Sequence, residues 1–284
     1  MLNKVPEITL YFWVIKVLCT TVGETASDYL SDNVGLGLTK TTYITGAALL
    51  ATLAFQFRAR RYVPGIYWLA VVLISVVGTQ ISDNLVDNLG ISLVTTTIVF
   101  GAALAAVFGS WWWVERTLSI HTIVTSRREA FYWLAILFTF ALGTSAGDLM
   151  SERLNLGYWR AALVFGGLIA VVTAAYFVTR SRLSADDLRQ STYAIGAFWI
   201  AYVLTRPLGA SIGDELSQSR ADGGLGLGTT ATSIIFLTGI LLVVVYLSIT
   251  RKDATENVAA RLRDQRAEDA HHHRRPVEPA LESE

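Results

Sequence analysis

The sequence repeats one pattern of residues four times along its length. In each copy a tryptophan precedes a glycine by ten residues and an aspartate by fifteen, within an apolar segment. The copies read FWVIKVLCTTVGETASD, YWLAVVLISVVGTQISD, YWLAILFTFALGTSAGD and FWIAYVLTRPLGASIGD. The repeated positions are Trp13, Trp68, Trp133 and Trp199; Gly23, Gly78, Gly143 and Gly209; and Asp28, Asp83, Asp148 and Asp214. A fixed spacing over four copies indicates a repeat architecture in which each copy is one structural unit.

Each copy contains two apolar segments that are long enough to cross a membrane. The chain is 52% hydrophobic and only 16% charged, a composition that favours lipid rather than water as the solvent. Eight segments reach the roughly 20 residues that span a bilayer. They are 8–30, 39–57, 65–85, 92–114, 131–150, 159–179, 192–216 and 229–249, so the four repeats are residues 8–57, 65–114, 131–179 and 192–249.

The predicted fold is an all-α membrane protein of eight transmembrane helices. Because each repeat has two spans, all four enter the membrane in the same orientation, as parallel repeats with pseudo-symmetry about the membrane normal. Residues 1–250 form the transmembrane domain, and the charged segment 251–284 is predicted to be a disordered tail. Lys and Arg number 17 on one side of the spans and 4 on the other. This bias predicts a bacterial inner-membrane protein with both termini in the cytoplasm.

The composition argues against several classes of function. A net charge of zero leaves no basic surplus for binding nucleic acid. The single cysteine, Cys19, and four histidines outside the apolar segments do not predict a disulfide, a thiolate metal site or a haem. No cofactor is expected. An intramembrane aspartyl protease needs two facing carboxylates, which four equivalent aspartates fit poorly, so we do not expect an enzyme.

The four tryptophans and the G-x-x-x-x-D units resemble those of a bacterial family of membrane proteins built from four tandem copies of a repeat of unknown function. The resemblance covers about residues 8–250. It implies two spans and one characteristic tryptophan in each repeat, and it implies no biochemical role.

Polar side chains share one face of each odd-numbered span with the repeated aspartate. Steps of four residues follow one helical face. The four faces are Lys16, Thr20, Glu24 and Asp28; Val71, Ser75, Thr79 and Asp83; Ile136, Phe140, Thr144 and Asp148; and Tyr202, Arg206, Ala210 and Asp214. A charge in the bilayer core costs roughly 2.5 to 3.5 kcal/mol, so these charged groups should face a cavity or pair with each other.

Three charges break the repeat, namely Lys16 and Glu24 in the first copy and Arg206 in the fourth. These two copies become neighbours if the bundle closes as a ring, and we therefore predict an ion pair between Arg206 and Glu24. Pro207 follows Arg206 and deprives the carbonyl of Val203 of its helical hydrogen bond. Such a carbonyl beside a charge belongs either to a binding site in a broken helix or to a packing kink.

These features predict a membrane transporter with a carboxylate-rich site. The candidate ligands of an ion or substrate are Glu24, Asp28, Asp83, Asp148, Asp214, Lys16, Arg206, Thr20, Thr79, Gln80 and Thr144. The five carboxylates would suit a hard cation such as Mn2+ or Mg2+, or protons. In one alternative, Arg206 and Lys16 bind the anionic group of a small organic solute. In another, the aspartates cap helix ends and the protein is structural or sensory.

The expected partners are the lipid bilayer and a small ion or solute. The sequence predicts no particular oligomeric state. We also expect the four repeated tryptophans to anchor the helices at the membrane interface.

Overall fold

The computed structural model describes residues 3–180 and 191–254, and this part of the chain contains eight long α-helices and no strand. The helices are α1 (Leu10–Asp28), α2 (Leu38–Arg58), α3 (Pro64–Asp83), α4 (Leu93–Glu115), α5 (Ser126–Asp148), α6 (Tyr158–Arg180), α7 (Thr192–Ser217) and α8 (Thr229–Thr250). Every boundary lies close to that of a predicted span, and the largest difference is at the start of α5. Arg182 and Arg189, which are predicted to be cytoplasmic, and the tail beyond residue 254 lie outside the described residues.

Three of the odd-numbered helices end at a repeated aspartate and continue as one π-helical turn. These π turns are Tyr29–Asn33 after α1, Asn84–Asn88 after α3 and Leu149–Arg153 after α5. Glycines in the left-handed conformation follow them, for example Gly90 with a φ of 67° and Gly157 with a φ of 74°. They reverse the chain into the next helix at little steric cost because glycine lacks a Cβ. Short π-helical segments of this kind are frequent at functional sites.

The four odd-numbered helices form a closed inner ring. α1 packs against α3 and α7, and α5 packs against the same two helices. The even-numbered helices form an outer layer in which α2 packs against α3, α4 against α5, α6 against α7, and α8 against α1. Each outer helix therefore packs against the inner helix of the following repeat, and α8 completes the circle on the first.

The repeated glycines are points of close approach between neighbouring inner helices. Each lies against the residue eight positions before the aspartate of the next inner helix. The pairs are Gly23 with Ser75, Gly78 with Phe140, Gly143 with Arg206, and Gly209 with Thr20. An added Cβ would overlap the partner side chain at all four glycines. The outer-helix glycines Gly101 and Gly166 are different, since the nearest atom to an added Cβ is a leucine methyl group 3.9 Å away.

Six of the eight helices, α3 to α8, are long and apolar enough to cross a membrane. α1 and α2 are not among them, and both are richer in polar residues, with Lys16 and Glu24 in α1 and five threonines in α2. Few residues of α4, α6 and α8 are buried inside the protein, whereas α3, α5 and α7 are largely buried. Apolar helices that turn such surfaces outward identify a multi-pass membrane protein.

Three of the four repeated tryptophans lie inside the bundle. Trp68, Trp133 and Trp199 are each at most 5% exposed, and their rings contact those of Tyr67 and Tyr132. The expectation of interfacial anchoring is wrong for these three, because a buried ring cannot reach the lipid headgroups. They form an aromatic layer about 22 Å from the repeated aspartates, which lie fifteen residues further along each helix.

Residues from the two ends of the described chain pack beyond this aromatic layer. Lys4 Nζ lies 2.7 Å from Glu129 Oε2, and Gln56 Nε2 donates to Glu129 Oε1 over 3.1 Å. The hydroxyl of Tyr62 donates to Asp253 Oδ2 over 2.5 Å. Asp253 was predicted to belong to a disordered tail, but it is buried, and the first residues of that segment pack against the bundle.

Candidate functional site

A cavity of about 170 Å³ lies between the inner helices at the end where the repeated aspartates are. Seven of the ten residues that line it carry a carboxylate, and they come from all four repeats. They are Glu24, Asp28, Asp83, Asp87, Asp148, Glu152 and Asp214. The inner ring thus brings the five predicted carboxylates to one place, because each repeat puts its aspartate at the same point along its inner helix.

The cavity changes from exposed to buried along its depth. Asp87 and Glu152, in two of the π turns, are exposed and form its mouth. Glu24 and Asp214 are each only 6% exposed, and they form its floor. The other three repeated aspartates are partly buried between these levels. A cation in the cavity would therefore meet carboxylates at every depth.

The repeated aspartates have no protein partner in the described residues. Asp28, Asp83 and Asp148 make no side-chain capping hydrogen bond, although each precedes a π turn. Neither these three nor Asp214 forms an ion pair with a described side chain. The interpretation that the aspartates cap helix ends is therefore wrong for the first three. Buried polar groups in proteins are nearly always hydrogen-bonded, so carboxylates without a protein partner leave lone pairs for a ligand.

Three carboxylates converge closely enough to hold one ion. Single oxygens of Glu24, Asp148 and Asp214 all lie within 4.8 Å of one another. Hard divalent cations bind carboxylate oxygens at about 2.0 to 2.6 Å, so a central ion could bind all three after small side-chain movements. Asp28 and Asp83 line the same cavity but do not belong to this trio.

Arg206 closes the floor of the cavity. Its side chain is fully buried, and Nη2 donates to Glu24 Oε2 and to Thr144 Oγ1, each over 2.7 Å. Nη2 also donates to the hydroxyl of Thr79, and Nη1 donates to the backbone carbonyl of Thr20 over 2.9 Å. One side chain on α7 is thereby bonded to α1, α3 and α5. The predicted ion pair between Arg206 and Glu24 is present.

Lys16 does not line the cavity. It lies eight residues before Glu24 in α1, which corresponds to about 12 Å of helix. Its Nζ is 4.0 Å from the centre of the Phe140 ring and 4.2 Å from that of Tyr202. Nζ thus lies over two aromatic rings, and no described group forms a hydrogen bond with it.

Two of the predicted polar residues, Gln80 and Thr20, do not line the cavity with their side chains. Gln80 faces α2, where its Oε1 accepts a hydrogen bond from Thr45 over 2.6 Å. Thr20 contributes its backbone carbonyl to Arg206, while its own hydroxyl donates to the carbonyl of Val17 over 2.6 Å.

A second set of polar residues, which was not predicted from the sequence, lies four positions after each repeated aspartate. They are Asp32, Asp87, Glu152 and Gln218. The last three line the cavity, and Asp32 is exposed. In three of the copies the sequence has two acidic residues four positions apart, and this pattern could have predicted the second set. The second acid lies beyond the apolar segment, so it was assigned to a connection between helices.

A family model described as Repeat of Unknown Function (DUF347) matches the chain four times. The matched segments are residues 11–62, 66–117, 131–182 and 197–253. Each match contains one inner and one outer helix, in agreement with the predicted repeats. No curated protein and no solved structure matches the chain.

Proposed function

The chain belongs to the DUF347 repeat family, and we propose that it is a membrane transporter that binds a hard cation at the floor of its acidic cavity. The proposed cargo is a divalent ion such as Mn2+ or Mg2+, or a proton carried by the same carboxylates. The proposal places the protein in a bacterial inner membrane, with both termini in the cytoplasm and the cavity opening on the other side.

We further propose that all eight helices cross the membrane as four parallel repeats. α1 belongs to the inner ring, so its polar residues Lys16, Glu24 and Asp28 can avoid lipid although it is less apolar than the other inner helices. The glycine contacts support pseudo-symmetry about the membrane normal, because the same pair of positions meets at all four interfaces of the ring. A ring closed by its last and first members needs all four inner helices at the same depth.

The observation that carries the proposal is the convergence of Glu24, Asp148 and Asp214 within 4.8 Å at the floor of the cavity. Oxygen ligands without cysteine or histidine favour hard cations over soft metals. The exposed carboxylates of Asp87 and Glu152 would attract cations toward the mouth and raise their local concentration. A cation bound at the floor would reach the far side only after the contacts of Arg206 and the aromatic layer rearrange, as alternating access requires.

The alternative in which Arg206 and Lys16 bind an anionic solute has less support. The guanidinium of Arg206 is already engaged by Glu24, and Lys16 lies about two helical turns away from Glu24. An anion entering the cavity would first have to pass seven carboxylates.

The test is Mn2+ binding and flux with purified protein in nanodiscs and in proteoliposomes. Asp148→Asn and Asp214→Asn should each weaken Mn2+ binding about tenfold or more while the protein still folds, because each removes one charged ligand from the trio. Glu215→Gln is the matched control, since Glu215 adjoins Asp214 on α7 and does not line the cavity. Failure of the wild type to bind Mn2+, Mg2+, protons or a panel of small solutes at millimolar levels would refute the transporter and leave a structural or sensory protein.

A further inference from the structure

The guanidinium of Arg206 occupies a cage that three other helices build around it. Its hydrogen-bond partners are the carbonyl of Thr20, the carboxylate of Glu24 and the hydroxyls of Thr79 and Thr144. All of these groups are oxygens, and the arginine side chain is fully buried. The protein therefore already holds a cation in an oxygen cage at the floor of the cavity, and this cation is attached to α7.

Glu24 belongs both to this cage and to the carboxylate trio. Its Oε2 accepts from Arg206, while the same carboxylate lies within 4.8 Å of ligand oxygens of Asp148 and Asp214. Asp214 is 94% buried and lines the cavity without forming an ion pair to a described group. Two positive charges cannot share Glu24 at this distance without repelling each other, since the low local dielectric strengthens the repulsion.

Arg206 lies at a turn of α7 that lacks one backbone hydrogen bond. Pro207 follows it and has no N–H to donate to the carbonyl of Val203, so the helix is weakened at this turn. The guanidinium Nε has no hydrogen-bond partner in the described residues, so Nη1 and Nη2 make all of its hydrogen bonds there.

We infer that Arg206 is a tethered cation that competes with the cargo cation for Glu24, so that cargo can bind fully and pass the floor only when the guanidinium withdraws. This inference rests on the proposed cation transport. It predicts reciprocal coupling: bound cargo weakens the binding of the guanidinium in its cage, and the caged guanidinium weakens cargo binding by the same factor.

The first test compares Mn2+ binding by isothermal titration calorimetry for the full-length wild type, Arg206→Gln, Arg206→Lys and Lys16→Gln in nanodiscs. Arg206→Gln should bind Mn2+ at least about tenfold more tightly, within the usual range for coupled sites, and Arg206→Lys should remain near the wild type. Lys16→Gln is the matched control, because it removes a buried positive charge about 12 Å further along α1. Its affinity should change less than that of Arg206→Gln, because the interaction between two charges weakens as their separation grows. Equal tightening in Arg206→Gln and Lys16→Gln, or none in Arg206→Gln, would overturn the inference.

The second test does not depend on the stability of an empty cage. Arg206→Ala is purified in about 20 mM guanidinium chloride, far below the concentrations that denature proteins. The free ion should raise the melting temperature of Arg206→Ala and weaken its Mn2+ binding competitively, with neither effect in the wild type. Mn2+ binding to Arg206→Ala that is independent of guanidinium would refute the competition.

The two proposals fail in different ways. Absence of Mn2+, Mg2+ and proton binding by the wild type and by every variant would refute cation transport and the tethered cation together. Mn2+ binding by the wild type that is unchanged by loss of Arg206 would refute only the tethered cation.

Discussion

Arg206 Nη2 on α7 lies 2.7 Å from Glu24 Oε2 on α1, and this ion pair joins the fourth repeat to the first. The two residues occupy positions at which the repeats differ from one another, since Arg206 corresponds to Thr20, Ser75 and Phe140 and Glu24 corresponds to Thr79, Thr144 and Ala210. The charges thus distinguish one interface of a ring whose four interfaces share the same glycine contact.

Glu24→Gln should lower stability more than any single substitution among the repeated aspartates. Removing one partner leaves a buried charge uncompensated, at a cost of about 3 to 5 kcal/mol. The double variant Glu24→Gln/Arg206→Gln should recover much of this loss, because a neutral pair needs no charge compensation. The measurement is the thermal unfolding of purified protein. A double variant no more stable than Glu24→Gln would contradict the assigned pairing energy.

Gly209→Ala should destabilise the ring, and Gly101→Ala should not. A Cβ at Gly209 would overlap Thr20 on the first helix, and overpacking of this kind typically costs about 1 to 3 kcal/mol. At Gly101 the added Cβ has a leucine methyl group 3.9 Å away, and alanine favours the helix by roughly 0.5 to 1 kcal/mol. Unfolding temperatures of the two variants measure the difference. Equal effects at both positions would show that close approach is not why the inner-helix glycines recur.

Reporters fused after residues 60 and 127, after residue 189 and at the C-terminus should all report the cytoplasm. This follows because two spans separate each site from the next if all eight helices cross the membrane. The assay is a pair of fusions active on opposite sides, such as a phosphatase and a fluorescent protein. If α1 and α2 lay on the membrane surface, the remaining sites would still agree with each other, so an additional reporter near residue 34 is needed. It should report the opposite side.

Asp87→Asn and Glu152→Gln together should slow cation entry more than they weaken binding at equilibrium. Both side chains are exposed at the mouth of the cavity, where charges mainly steer association. The rate of Mn2+ uptake should fall severalfold at low ionic strength and approach the wild-type rate in high salt, because screening removes the same attraction. Stopped-flow measurements over a salt series provide the check. An effect that is independent of salt would argue against steering.

Asp253 should make stability depend on pH at the end of the bundle away from the cavity. Burial raises the pKa of its carboxyl group above the ordinary value of 3.8, and the hydrogen bond from Tyr62 partly opposes this. An acid whose pKa is raised in the folded state stabilises it at low pH, and this contribution is lost as the pH rises through the folded pKa. The melting temperature of the wild type relative to Asp253→Asn should therefore fall as the pH rises above the ordinary carboxyl pKa of 3.8. In Tyr62→Phe the decrease in melting temperature should occur at higher pH, because the hydrogen bond that lowers the pKa of Asp253 is lost. A difference in melting temperature between the wild type and Asp253→Asn that does not change with pH would contradict a raised pKa of Asp253.

The local order of the chain was readable from the sequence because it depends on short distances along one helix. Apolar runs of about 20 residues predicted the eight helices, and the repeated spacing placed Asp28 and its three counterparts at one level. The unmatched charges of Arg206 and Glu24 predicted their pairing, since a buried charge requires a partner. These inferences need only the helical rise and the cost of burying charge.

Other features depend on which helices become neighbours, and only the tertiary structure decides that. Gly23 and its counterparts are the points of close approach between inner helices, because the ring places each against a side chain of the next inner helix. A tryptophan such as Trp68 suits the membrane interface, but in the folded protein its ring belongs to the aromatic layer. The amide of Gln80 suits a cation site, but its side chain faces α2. A residue's distance along its helix follows from its number and the helical rise. What its side chain contacts depends on which helices are neighbours, and closure of the ring decides that.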